Sequence, residues 1–273
     1  MEALALGEDG DWPGAAELLR EALADDPDPS AELLCALGVA ERELGLTGIA
    51  YERFKQALAL DPQEPFILAT AGNAIAQFDD PDAEPALRAA ALLGPALPLA
   101  RWMYGAYLTR EGMLSEARVE LDAALELAPD DPQIRYESAV WHLMSESASE
   151  GISELYRTLE LDSDDAWVRV VLGLALVSAD RHDEAVIELD AGARLNEADV
   201  EAQFLAALVL AAEGHEDRAW EMLERARLRA EGTDTLTVNE VEDRMNDSPD
   251  AARRLLDSTL APSALRERLA SRP

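Results

Sequence analysis

The chain has 273 residues, 48% of them hydrophobic, and 56 Asp and Glu face 23 Lys and Arg, for a formal net charge of −33 and a pI near 4.2. The acid excess excludes a grip on nucleic-acid phosphates, which demands a basic surface, while the apolar content sets the chain apart from disordered acidic tails. One cysteine, Cys35, leaves no intrachain disulfide; with no secretory signal after Met1 and no apolar run near the ~18 residues of a membrane span, a cytoplasmic protein is expected.

Catalytic motifs are missing as well. The single lysine, Lys55, follows Phe54 and not a glycine, so no phosphate-binding loop is present. No G-x-G-x-x-G turn, H-E-x-x-H pair or cysteine cluster for zinc occurs. Neither an enzyme nor a cofactor is expected. His142, His182 and His215 have no partner at helical metal-binding spacing, and His182 and His215 occupy adjacent places in equivalent turns, where surface positions are expected.

Ala, Leu, Glu and Arg dominate nearly every window, which predicts an all-α chain. Residues 1–30 hold an incomplete first hairpin: Ala15, Leu19, Ala22 and Pro27 mark its second helix, and at most eight residues remain for the first, as in a short cap or a piece of a longer array. Residues 31–233 then repeat. Small residues recur at Gly38, Gly72, Gly105, Ala139, Gly173 and Ala207, with spacings of 33 or 34. A second small series runs through Ala50, Ala83, Ala117, Gly151, Ala185 and Ala219, and a third through Ala57, Ala90, Ala124, Thr158, Gly192 and Ala226. Between them lies a large apolar series: Phe54, Leu87, Leu121, Leu155, Leu189 and Leu223.

Such a period predicts two-helix units with starts near Ala31, Pro65, Pro98, Pro132, Ala166 and Val200, in which small residues admit close backbones and large ones fill the gap. Gly45, Gly112 and Gly214 stand in the turn between the two helices, where a left-handed backbone is wanted, and Pro62, Pro95 and Pro129 close the second helices. Pro85 predicts a kink or a late helix start in the third unit. The fifth unit departs most, at Ser138, Gly151 and Thr158. In residues 234–273, helices are expected over 237–245, 250–260 and 264–269, with Pro262 as a break and Leu255, Leu256, Leu260, Leu265 and Leu269 as an apolar side. This tail serves as a C-terminal cap or as a docking element.

Leu34, Leu37, Gly38, Ala50, Phe54, Ala57 and Pro62 resemble the tetratricopeptide repeat (TPR), with Glu41 where that pattern has an aromatic residue. The resemblance covers roughly 230 residues and implies a right-handed solenoid of about seven helical hairpins with a C-terminal helical cap. It also implies that one side of each first helix lines a concave groove. Positions three and four apart on that side run from Glu32, Cys35, Val39 and Arg42 through oily middle sets to Glu201, Phe204, Leu208 and Ala211. Apolar contacts for a partner are expected at Phe66, Trp102, Tyr136, Val140, Trp167, Val170 and Phe204, with Asn73, Gln77 and Arg110 as polar markers of register. The lysines of the carboxylate-binding members of the family are missing.

The first helix of the sixth unit, 166–179, carries a single charge, Arg169, and is apolar on every face, so something covers its inner side: a partner, the chain's own tail, or tight curling of the array. Residues 1–199 hold 41 acidic and 13 basic side chains, fitting solvated outer faces, adaptation to a salt-rich cytosol, or steering of a basic partner. The function this points to is a non-catalytic protein–protein interaction scaffold or adaptor that takes a peptide or amphipathic helix in an apolar groove, with basic residues flanking the partner's apolar anchors. The alternative is a self-assembling solenoid, a homo-oligomer in which one copy's first hairpin accepts another's Leu-rich tail. Nucleic acid is not an expected partner, and no membrane span is expected.

Overall fold

The computed structural model describes residues 2–271, without the side chains of Glu2 and Leu4; among the described residues all regular structure is helical. The chain divides into two compact units, the first ending at Pro129 and the second beginning at Asp130. The N-terminal unit is four consecutive hairpins: α1 (Glu2–Glu8) with α2 (Trp12–Asp25), α3 (Ala31–Glu43) with α4 (Thr47–Ala59), α5 (Pro65–Ala76) with α6 (Ala83–Leu93), and α7 (Pro98–Arg110) with α8 (Leu114–Leu127). The C-terminal unit has three more, α9 (Pro132–Met144) with α10 (Ala148–Leu161), α11 (Ala166–Ser178) with α12 (His182–Leu195), and α13 (Val200–Ala212) with α14 (Glu216–Arg229). Its tail follows as α15 (Thr233–Asp247), α16 (Pro249–Leu255), a π turn over Leu256–Leu260, and α17 (Ala261–Ala270).

The repeat spacing has a direct packing counterpart. A Cβ built on Gly38 would lie 2.9 Å from the Phe54 ring, on Gly105 2.8 Å from Leu121, and on Gly173 2.5 Å from Leu189, so in each hairpin the missing side chain of the first helix is the space filled by the large residue of the second. The other small series does the same from the opposite side: Gly192 of α12 abuts Val170 and the Ala166 carbonyl of α11. Phe54, Leu87, Leu121, Leu155, Leu189 and Leu223 are all buried.

Each hairpin turns through a residue of positive φ. Gly45, Gly112 and Gly214 adopt 74°, 74° and 80°, as their sequence positions demand, and the equivalent places hold Asp79 at 53°, Glu146 at 61° and Asp180 at 59°. Side chains at those three places carry the strain that glycine avoids. Helix starts repeat too. Asp131, Asp165 and Asp199, 34 residues apart, cap α9, α11 and α13 by accepting backbone N–H bonds, as Ser30 caps α3. An ionic series joins first to second helices: Arg101 with Glu120 at 2.6 Å, Arg135 with Glu154 at 2.9 Å, Arg169 with Glu188 at 2.7 Å. Lys55 of α4 reaches forward to Asp80 and Asp82 of the next turn, and its ammonium is pushed up to about 12, first by the hydrogen bond to Asp82.

Pro85 gives the expected late start and not a kink: α6 begins three residues later in the repeat than α4, α8, α10, α12 and α14. Helix α6 begins at Ala83, which places Pro85 in the first turn, where its missing N–H has no intrahelical acceptor to lose. Pro262 does not break the tail: α16 passes through the π turn directly into α17, and the wider turn absorbs the missing donor and the ring.

Two substitutions test this packing. Ala117→Leu, at a fully buried contact of α8, should overpack the hairpin and lower stability by about 1–3 kcal/mol in urea unfolding. Glu146→Gly should raise it by about 1 kcal/mol, since the exposed Glu146 holds a left-handed backbone; a lower melting temperature for that variant would count against the turn geometry.

Candidate functional site

In the N-terminal unit, α1, α2, α3 and the start of α5 surround an open hollow of about 700 Å³. Its walls are Trp12 and Leu19 from α2, Cys35 and Val39 from α3, and Phe66 and Ile67 from α5. Cys35 and Val39 occupy the expected inward register of α3. Phe66 is 58% exposed at the rim, an uncommon exposure for a phenylalanine whose neighbour Ile67 is fully packed. Among the described residues, the charged groups in the wall are the carboxylates of Glu8 and Glu32. Glu32 is held below the usual carboxylate range by its own backbone N–H and then by the Ser30 hydroxyl, so it is anionic at neutral pH. Residues 2–36, which build three sides of the hollow, include ten acidic side chains and one basic one, Arg20.

Of the other positions expected in this unit, Asn73 is buried on α5 with its amide oxygen unpartnered, and Gln77 is exposed just after that helix. On α7, Trp102 lies half-buried against the core cluster that contains Leu68, Leu87 and Met103, while Arg110 donates to the Ala106 carbonyl. Only Phe66 reaches the hollow.

The C-terminal unit presents a filled face. Tyr136, Val140, Val170 and Phe204, expected as open contacts, are buried in that unit's own core, together with Leu174 and Leu208. The tail packs α16 on α13 and α17 on α11 and contributes Leu255, Leu256, Ala261, Ala264 and Leu269 to the same cluster. The all-round apolar character of α11 is thereby satisfied in cis. Trp167 donates its indole N–H to the Tyr136 hydroxyl at 2.7 Å, and Arg268 of α17 stacks over the Trp167 ring with its central carbon 4.7 Å from the centroid. The same guanidinium bonds Glu201 through Nε at 3.0 Å and Asp199 through Nη2 at 2.8 Å, and is only 4% exposed. Burial pushes the Glu201 carboxyl up, and Arg268 opposes that shift.

A second tie corrects the surface placement of His182. Its Nε2 lies 2.8 Å from Asp257 in the π turn and its Nδ1 3.3 Å from Asp180, leaving it buried, because the returning tail closes over the α12 start. His215, one repeat on, is exposed. Sequence reading marked Glu201 as an inward polar position but not Asp199 or Arg268. The 34-residue recurrence of the capping aspartates was a usable signal for Asp199, whereas Arg268 meets its partners 67 and 69 residues away, beyond any local pattern.

Among the described residues no His, Cys, Asp and Glu cluster could hold a metal ion, and no helix is long and apolar enough to cross a membrane. Burial pushes the Cys35 thiol up to about 12, making it an apolar wall element at neutral pH. At about pH 8 its reaction with Ellman's reagent should therefore run at least ~100-fold slower than that of a free thiol, and its rate should still climb with pH where a free cysteine has levelled off. A rate equal to that of free cysteine would contradict the covered position.

No family model matches the sequence, and no curated protein matches it. Solved structures do. A chain of the APC/C hetero-tetramer Cut9–Hcn1 is similar with a TM-score of 0.74 at 20% identity over 89% of this chain and 48% of that one, so this chain spans about half its length. A tetratricopeptide repeat protein from Parabacteroides merdae gives 0.63 at 16% identity, covering 90% of this chain and 96% of that one. Pseudomonas aeruginosa PilF gives 0.62 at 16% identity, covering 77% and 96%.

Proposed function

We propose that this chain, a tetratricopeptide-repeat protein by its fold, is a non-catalytic scaffold whose N-terminal unit holds an apolar-anchored, basic-flanked segment of another protein. The observation that carries the reading is the hollow beside Phe66: apolar walls, an exposed aromatic on the rim, and the carboxylates of Glu8 and Glu32 among its described lining. A peptide or amphipathic helix fits such a surface, because two or three large side chains entering it contribute about 1.5–3 kcal/mol each before association costs. Acidic side chains around the hollow draw cationic flanks toward it and reject acidic ones. Trp102 and Arg110 on α7 and Gln77 at the end of α5, in the same unit, would extend the contact along a longer segment. The self-assembling alternative would require the tail to leave the core it shares within the same copy.

The experiment is a titration of the full chain with two synthetic amphipathic helices that share leucine anchors and differ only in arginine or glutamate flanks. The arginine-flanked helix should bind, weaken with added salt, and lose roughly tenfold in affinity on Phe66→Ala, a change at an exposed position that leaves the fold intact. Equal binding of both helices, or indifference to Phe66→Ala, would remove the hollow as the site.

A further inference from the structure

The contacts of Arg268 define a second site, in the other unit and independent of the N-terminal hollow. On α17 the residues turned toward the unit are Ala261, Ala264, Leu265, Arg268 and Leu269, the register of a helix lying in a groove. The groove supplies an indole face, Trp167, fixed by its bond to Tyr136, and two carboxylates, Asp199 and Glu201, that converge on one guanidinium. A planar cation between an aromatic face and two acids is a recognition geometry for arginine that lysine does not reproduce.

Three features distinguish α17 from a permanent part of the core. Its apolar footprint is small, two alanines and two leucines, of which Leu265 is only partly buried. Arg268 keeps one guanidinium nitrogen, Nη1, buried without an acceptor, so its seat is incompletely satisfied. The link to α16 is a π turn, a helical form found at bends and frequently at functional sites. The His182–Asp257 contact lies before α17 and anchors the tail up to that turn.

We propose that the face formed by Trp167, Asp199 and Glu201 is an arginine-reading site for an amphipathic helix of another protein, and that α17 is its removable occupant. Charge complementarity favours this partner: a chain of net charge −33 places two of its carboxylates in an apolar groove where only a cation completes them. The partner helix carries arginine followed by leucine, with small or apolar residues three and four positions earlier, the pattern of α17 itself.

A labelled synthetic peptide of residues 261–271 serves as the probe, titrated against the full wild-type chain and the full Arg268→Ala chain. The peptide should bind the variant on the order of tenfold more tightly than the wild type, because the variant weakens the internal competitor. Replacing the peptide's arginine by lysine, or adding Glu201→Gln to the receptor, should reverse the gain. Absence of binding to a folded variant, or binding indifferent to the arginine, overturns the proposal. So does wild-type mass that doubles with concentration and is suppressed by the peptide, since the occupant is then a second copy. If Arg268→Ala does not fold, hydrogen exchange of the wild-type chain decides: amides of 264–270 should exchange through a local opening that leaves α13 protected, and exchange of both together overturns the removable occupant.

Discussion

Everything in this molecule depends on how closely two helices can approach. At Gly38, Gly72, Gly105 and Gly173 the first helix of a hairpin has no side chain, and a phenylalanine or leucine of the second helix occupies the vacancy. Because hairpins hold together by this local interlock, and each then packs on the next through α2 with α3, α4 with α5, α6 with α7, α10 with α11 and α12 with α13, the opposite sides of the first helices are left over. A surplus of oily surface is thus a product of the architecture and not of any one residue. What differs between the two units is what happens to that surplus.

In the N-terminal unit it stays open beside Phe66 and is ringed by carboxylates; in the C-terminal unit the tail returns over it and inserts an arginine. The acid of the chain has a different meaning in each place. Around the hollow, Glu8 and Glu32 act through space on whatever approaches. Within the closed face, Asp199 and Glu201 are consumed by bonds donated by Arg268, and the capping bond that the Ala202 amide donates to Asp199 shows one carboxylate serving both the helix start and the latch.

The helical hairpins and their register could be read from spacing, because small and large residues recur at a fixed period and a period survives however individual residues vary. Left-handed turns announced themselves only where glycine stands. Asp79, Glu146 and Asp180 adopt the same conformation with side chains that give no such signal. The need for a cover over α11 was visible in its composition, but the choice of cover was not, since Arg268, Asp199 and Glu201 meet through the return of the chain and not through neighbouring positions. His182 and His215 make the same point in miniature: at adjacent places in equivalent turns, one is buried beside Asp257 of the tail and the other is exposed.

The central claim, one inner face open and the other closed by its own chain, is tested most directly by hydroxyl-radical labelling of the intact protein, quantified residue by residue. The account predicts heavy modification of Phe66 and strong protection of Tyr136 and Phe204, which lie beneath chain-derived cover. Phe204 and Tyr136 labelled as readily as Phe66 would show that the C-terminal face is open and would contradict it.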